Sequence, residues 1–132
     1  MQQGELIRGI LTGDGAVNGL ISGRCFPNEL NEASDLPALV YREIIADRGH
    51  ILTGEFDSLN QPLLEVECWA MTYNAMEQLA MTVIDLLDGM DVFVGSPPME
   101  LRSVIEDGGA DDVGVYGTRR QHMRPVLVRL FY

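Results

Sequence analysis

The chain contains no lysine, and it has only two histidines, two cysteines and no long apolar run. A helix needs roughly 20 apolar residues to cross a bilayer, so the sequence predicts no membrane span. The first residues lack a basic region followed by an apolar run, and so give no sign of a secretory signal. We therefore expect a protein that stays in the cytoplasm of the cell that makes it.

The two cysteines, Cys25 and Cys68, lie far apart in sequence and in no spacing typical of a metal site. A disulfide between them is disfavoured in a reducing compartment. Cys68 falls on the apolar side of an alternating segment, which predicts a buried free thiol.

The sequence also lacks a recognisable reaction centre. His50 and His122 stand in polar stretches without a nucleophile and an acid in a catalytic arrangement. Asp85, Asp88 and Asp91 lack the spacing and the central glycine of a calcium loop. We therefore predict no catalytic residues, no metal site and no cofactor, and we expect that the protein is not an enzyme.

Charge is distributed unevenly along a chain whose formal net charge is −11. Residues 61–112 hold eleven acids and a single base, Arg102, whereas residues 113–132 hold no acid and four bases: Arg119, Arg120, Arg124 and Arg129. An acidic total argues against wrapping nucleic acid, which needs clustered cations to displace counterions. It argues equally against an anionic membrane surface as a partner.

This charge split suggests that an acidic surface of one copy meets the arginine-rich end of another, since arginine pairs bidentately with carboxylates. The alternative is that both are solvated faces, because charges at an interface rim tune association more than they drive it. Trp69, among glutamates, predicts either a subunit contact or the cover of a second small core. The predicted interface residues are Glu65, Glu67, Trp69, Glu106, Asp107, Asp111, Asp112, Arg119, Arg120 and Arg124.

Residues 64–89 give the clearest structural signal. Residues 64–70 alternate like a half-buried strand, with Leu64, Val66, Cys68 and Ala70 on the apolar side. Apolar residues then recur at helical spacing up to Leu87. Thr72 or Asn74 can cap this helix, Asn74 with Glu77 as a capping box, and Gly89 supplies a left-handed stop.

The rest of the chain predicts short helices over residues 5–11 and 16–21 and strands over residues 37–45, 51–56, 99–105 and 126–132. Residues 90–98 are expected to form a loop or an irregular edge, and the glycine-rich residues 106–117 a loop. The order predicts a single α+β domain over residues 1–132: an antiparallel sheet with one long and one or two short helices packed on one face. Residues 37–45 and 64–70 are expected to pair.

Several segments, taken in order, resemble the tail-completion or tail-terminator proteins of long-tailed bacteriophages and prophages. They span nearly the whole chain, and the glycine-rich residues 107–114 depart from the pattern. The segments that carry the resemblance are the leading helix with Leu11, Thr12 and Asp14, then residues 23–27 (GRCFP), 36–37 (LP), 40–41 (VY), 66–70 (VECWA) with Tyr73, 86–89 (LLDG) and 129–132 (RLFY).

The resemblance implies a structural protein that forms a hexameric ring. Such a ring caps the tail tube, stops its growth and provides the docking surface for the head connector or stopper. Its partners would be further copies of the chain, the tube protein and the connector, with DNA only passing through the lumen. It would be located in the virion at the junction of head and tail, after assembly in the bacterial cytoplasm.

Other readings of the sequence remain open. One is a non-viral α+β module that binds a ligand or acts as a dimeric sensor, which would need a concave apolar pocket with convergent polar groups. Another is a different phage component, such as a tube subunit or a stopper. A small hydrolase would need a nucleophile and a base that the sequence does not reveal.

Overall fold

A computed structural model describes residues 3–30, 35–45, 62–95, 97–109, 112–116 and 119–132. Within these residues the chain forms three helices and seven strands. They are α1 (Gln3–Gly13), α2 (Gly15–Ile21), β1 (Cys25–Pro27), β2 (Ala38–Ile45), β3 (Leu63–Ala70), α3 (Tyr73–Leu87), β4 (Met90–Val94), β5 (Met99–Asp107), β6 (Asp112–Tyr116) and β7 (Arg119–Phe131). The strand predicted for residues 51–56 lies outside the described residues.

The strands form one sheet in the order β1-β2-β3-β7-β5-β4, with β6 also pairing to β7. β1 runs parallel to β2, and every other described pair is antiparallel. The predicted pairing of residues 37–45 with residues 64–70 is confirmed, with Tyr41 opposite Val66. The fold is α+β, as predicted, although the single parallel pair makes the sheet mixed.

The hydrophobic core lies between the sheet and the three helices. The predicted stripe on α3 is fully buried: Met76, Leu79, Ala80, Val83 and Leu87. Four of these residues, Leu79, Ala80, Val83 and Leu87, pack in one cluster with inward-facing residues of the strands and of α1 and α2, among them Leu64, Val66, Ile7 and Val17. Burying such side chains stabilises a fold by about 1.5–3 kcal/mol each, so this layer is the main source of stability.

Polar groups define the ends of the helices. Asp14 caps α2, because its Oδ2 accepts a hydrogen bond from the Val17 amide at 3.0 Å. Of the two candidate caps for α3, the structure selects Thr72, whose Oγ1 accepts from the Ala75 amide at 3.1 Å. Asn74 therefore lies inside the helix and forms no capping box. Gly89 follows α3 with a φ of 74°, as the predicted left-handed stop requires.

Two segments predicted as irregular contain regular strands. Residues 90–94 form β4, an edge strand that pairs with β5 from Met90↔Ser103 to Val94↔Met99. Part of the predicted loop 106–117 forms β6, so that prediction was wrong. The long β7 presents backbone N–H and C=O groups to which residues 112–116 can hydrogen-bond. This pairing outweighs the low strand propensity of glycine and aspartate.

β7 begins at Arg119, seven residues before the predicted start. β3 pairs with β7 only from Ala70↔His122 to Leu63↔Arg129. Residues 119–121 therefore pair only with β6, among the residues that the structure describes. We call β6 together with residues 119–121 the arm, a two-stranded ribbon that continues beyond the end of β3.

The prediction that β3 is half-buried was also wrong. Glu67 and Trp69 lie on the sheet face opposite the helices, yet each is only 6% exposed. The curled sheet and the residues after β1 enclose this part of the second face. Trp69 is thus buried on this face of the sheet, and the choice between its two predicted roles stays open.

Candidate functional site

A cleft lies on the sheet face opposite the three helices. Alternation places Ala38, Trp69 and Met123 in one row across β2, β3 and β7, and Val40, Glu67 and Pro125 in the next row. The cleft has a volume of about 290 Å³. Its lining residues are Glu29, Leu30, Arg42, Glu67, Trp69, Gln121 and Met123.

A buried carboxylate marks the floor of the cleft. Arg42 Nη2 donates to Glu67 Oε2 at 2.9 Å, and Trp69 Nε1 donates to Glu67 Oε1 at 3.4 Å. A carboxylate that is removed from water needs such donors, since an unpaired buried charge is very costly. Glu67 and Trp69, both predicted as interface residues, are thus joined in one network within the subunit.

Glu65 adds a second carboxylate to the same arginine. Its Oε1 lies 3.8 Å from Arg42 Nε, which is buried and has no hydrogen-bond partner among the residues that the structure describes. Burial raises the pKa of Glu65, and the neighbouring Glu67 raises it further, whereas Arg42 opposes both effects. Two carboxylates therefore share one guanidinium beside the cleft.

Arg124 lies on the helix face and not beside the cleft. Its Nη1 donates to Glu77 Oε1 of α3 at 2.7 Å, and its Nε donates to the Gly108 carbonyl oxygen at 2.6 Å. These bonds link α3, β7 and the segment between β5 and β6. They give Arg124 a role inside the subunit, and its predicted part in an interface stays a prediction.

Glu106 and Asp107 end β5 at a bulge in its pairing with β7. Arg129 Nε donates to Glu106 Oε1 at 3.3 Å, and Asp107 Oδ1 accepts from the Gly109 amide at 2.8 Å. Both acids are exposed. Two of the bases in residues 113–132 for which the structure describes the side chain, Arg124 and Arg129, are therefore paired with acids of their own chain.

The remaining predicted interface residues belong to the arm or lie beside it. Asp111 lies outside the described residues. Asp112 stands opposite Met123 at the base of the arm, while Arg119 and Arg120 stand opposite Tyr116 and Val115.

The structure thus brings six of the ten predicted residues together in two places. Glu65, Glu67 and Trp69 meet beside the cleft, and Asp112, Arg119 and Arg120 belong to the arm. The sequence interpretation missed Arg42, Gln121 and the pairing role of Glu77. Arg42 was open to prediction, because pairing residues 37–45 with residues 64–70 brings it opposite Glu65.

The His122 ring contacts Tyr73 edge-on, with ring centres 6.2 Å apart. Nowhere in the described ranges do three or more His, Cys, Asp or Glu side chains gather as a metal site would require. No helix in the described part of the chain has the length and apolar character to span a membrane.

Comparison with known proteins yields no assignment. The chain matches no model of a known protein family, and it matches no curated protein.

Proposed function

We propose that this chain is a structural protein of a bacteriophage or prophage that caps the tail tube as a ring and forms the surface on which the head connector docks. The sequence segments that resemble tail-terminator proteins support this proposal, and so does the α+β fold. Its interaction partners are further copies of the chain, the tube protein and the connector or stopper.

The observation that carries the proposal is the arm. Residues 119–121 pair with β6 and, in the described part of the chain, with no other strand. A two-stranded ribbon alone is at best marginally stable in water. Gln121 is buried within the subunit, and we propose that the rest of the arm gains stability by packing against another molecule. Assembly proteins need such elements, because their function lies in contacts between subunits.

Two different surfaces on one subunit support a ring in particular. The cleft and the arm differ in shape and in charge, so a contact between them would be head-to-tail. Such contacts close into a ring when the rotation between copies allows it, and they produce open filaments otherwise. A tail tube that templates the first copies would favour closure.

Deleting the coding region from the phage or prophage that encodes the chain tests the proposal. We expect tails of irregular length that carry no heads, and we expect normal particles when the gene is supplied from a plasmid. Electron microscopy of the lysate measures both properties. Tails of normal length joined to heads in the deletion strain would refute the proposed function.

The cleft favours a second candidate function, a module that binds a small ligand. Its volume of about 290 Å³ falls near the lower end of ligand pockets, and a tryptophan, an arginine and a carboxylate converge in it. Mass spectrometry of the purified protein under native conditions would detect a retained metabolite. A ligand bound in stoichiometric amount, and lost on Trp69→Ala substitution, would favour this function over the ring.

A further inference from the structure

The two edges of the sheet differ in whether their outer backbone groups are already bonded. β1 is one edge, and the alternation along it turns the backbone groups of Cys25 and Pro27 away from β2. The Cys25 N–H donates to the Gly23 carbonyl at 2.9 Å, and the Cys25 carbonyl accepts from Arg8 Nε at 3.3 Å. Pro27 has no N–H, and its carbonyl accepts from the Glu29 amide at 2.8 Å. This edge therefore offers no free group to a further strand.

β4 forms the other edge of the sheet among the described residues. It pairs with β5 over all five of its residues without a bulge, and it contains neither proline nor lysine. Bulges, prolines and lysines are devices by which edge strands avoid pairing with another chain. Within the described ranges β5 is the one strand that pairs with β4. The outer side of β4 is therefore open to one further strand.

The side chains of β4 leave apolar surface at this open edge. Phe93 lies on the face opposite the helices and is 73% exposed, more than any other large apolar residue whose side chain the structure describes. Val92 and Val94 lie on the helix face, where they pack against the border of the core and are half-buried. Because removing apolar surface from water is favourable, a strand with apolar side chains would fit this edge.

The sequence of β4 is complementary to itself in the antiparallel direction. A pairing centred on Val92 sets Val92 opposite its own copy, Met90 opposite Val94 and Asp91 opposite Phe93, so all five residues find a partner. Residues directly opposite each other lie on the same face of the joined sheet. On the helix face both copies contribute to one apolar row that connects the two cores. On the other face each aspartate meets a phenylalanine, so no like charges stand directly opposite.

We infer that β4 of one copy pairs antiparallel with β4 of a second copy about a two-fold axis at Val92, so that the two sheets join into one. This contact goes beyond the proposed capping function. A two-fold contact is complete with two copies, so it does not itself close a ring, and it uses no residue of the arm. Because five residues on each side make a small interface, the dimer should form at high protein concentration.

Disulfide formation at the axis tests this pairing. Val92→Cys places two thiols directly opposite each other in the inferred register, and mild oxidation should link them. Native thiols compete little, because Cys25 and Cys68 are buried, and burial raises the pKa of Cys25 to about 11 and that of Cys68 to about 12. Met81→Cys is the control, since Met81 is 46% exposed but lies on α3. We expect several-fold more linked dimer from Val92→Cys, and equal yields would overturn the contact.

A charge swap tests the register without a covalent link. Phe93→Asp sets aspartates opposite each other at two places in the dimer, so it should raise the dissociation constant measured by sedimentation equilibrium at least about tenfold. Adding Asp91→Lys to the same chain should recover part of the loss, because each lysine then faces an aspartate. Val104→Asp changes the net charge equally but lies on β5, and it should leave the constant nearly unchanged.

Two results would overturn the inference: a protein that stays monomeric at every concentration, or a dimer that Phe93→Asp and Val104→Asp weaken equally. Both measurements use the purified protein alone. Their failure would therefore leave the proposed tail function standing, and normal tails in the deletion strain would refute that function without touching the dimer.

Discussion

At the scale of single residues, the Arg124 side chain joins β7 to α3 and to the segment after β5. It is 16% exposed and bonds both Glu77 on α3 and the Gly108 carbonyl next to β5. Long side chains that join separate elements in this way fix their relative positions. The residue was singled out for its charge, but its geometry assigns it a part in holding the subunit together.

Replacing Arg124 with methionine should lower the free energy of unfolding by about 2 kcal/mol, because Glu77 and the Gly108 carbonyl both lose a charged donor. Urea denaturation followed by circular dichroism measures the change. Arg102→Met is the matched control: its pair with Glu100 is about half exposed on both sides and should matter by less than about 0.5 kcal/mol. Equal midpoints for the two variants would contradict this role of Arg124.

Gly109 is a second residue whose identity the backbone dictates. It has a φ of 73°, and a Cβ added there would overlap the carbonyl oxygen of Pro125. Gly109→Ala should therefore destabilise the protein by about 2 kcal/mol or more, through backbone strain and forced movement of β7.

Gly9 provides the opposite test with the same chemical change. It lies inside α1, and nothing within 4 Å would meet an added Cβ. Gly9→Ala should stabilise the protein by about 0.5–1 kcal/mol, since alanine favours the helix. Thermal unfolding of both variants distinguishes the two effects. A stabilising Gly109→Ala substitution would show that the segment after β5 does not hold this backbone conformation.

At the scale of elements, β3 carries two glutamates that differ in burial and in their distance from Arg42. Glu67 is buried and accepts a close bond from Arg42, whereas Glu65 is less buried, more distant from Arg42, and has a raised pKa. A carboxyl group whose pKa is raised by folding binds its proton more tightly in the native state. Its ionisation therefore lowers stability as the pH rises above its ordinary range.

Glu65→Gln should consequently raise the urea midpoint at pH 7 relative to the unaltered protein, and the gain should shrink at pH 4, where the carboxyl group is protonated in both states. Glu67→Gln should lower the free energy of unfolding at pH 7 by about 1 kcal/mol, and with it the urea midpoint, because Arg42 loses its closest charged partner. The urea midpoints of both variants should be measured at both pH values. If both substitutions shift the midpoint in the same direction at pH 7, Glu65 and Glu67 do not have opposite effects on stability.

The elements that were predicted correctly are those whose own residues contain the local features of a helix or a strand. α3 has a stripe of five apolar residues at helical spacing, a threonine cap and a terminal glycine, and the structure reproduces all three. Local chemistry of this kind does not depend on the rest of the fold. The pairing of β2 with β3 likewise followed from two alternating segments of similar length.

β6 and the early start of β7 escaped prediction because their signal is not local. Residues 112–116 contain an aspartate and a glycine, and they become a strand only because β7 stands beside them. The burial of Glu67 and Trp69 depends in the same way on the curl of the sheet. The cleft, built from three strands and the loop after β1, could therefore not be read from spacing. Two residues of its lining, Glu67 and Trp69, were predicted as interface residues, and that role stays a prediction.

At the scale of the whole molecule, net charge and local contact act in opposite directions. Each copy carries a formal charge of −11, so copies repel one another at long range. The proposed contacts between copies, in contrast, would bring opposite charges together at short range. Salt reduces the first effect far more than the second when the contact is partly shielded from water.

Self-association should therefore strengthen as salt is raised from 0.01 M to 0.15 M, because the screening length falls from about 30 Å to about 8 Å. Sedimentation velocity over a range of protein concentrations measures it. Arg120→Glu and Arg102→Glu change the net charge equally, but only the first alters the arm, and Arg102 lies on β5. We expect Arg120→Glu to abolish association beyond the β4–β4 dimer at 0.15 M salt and Arg102→Glu to leave it nearly unchanged, since repulsion is screened there. If both variants weaken association to the same degree, overall charge and not the arm controls assembly.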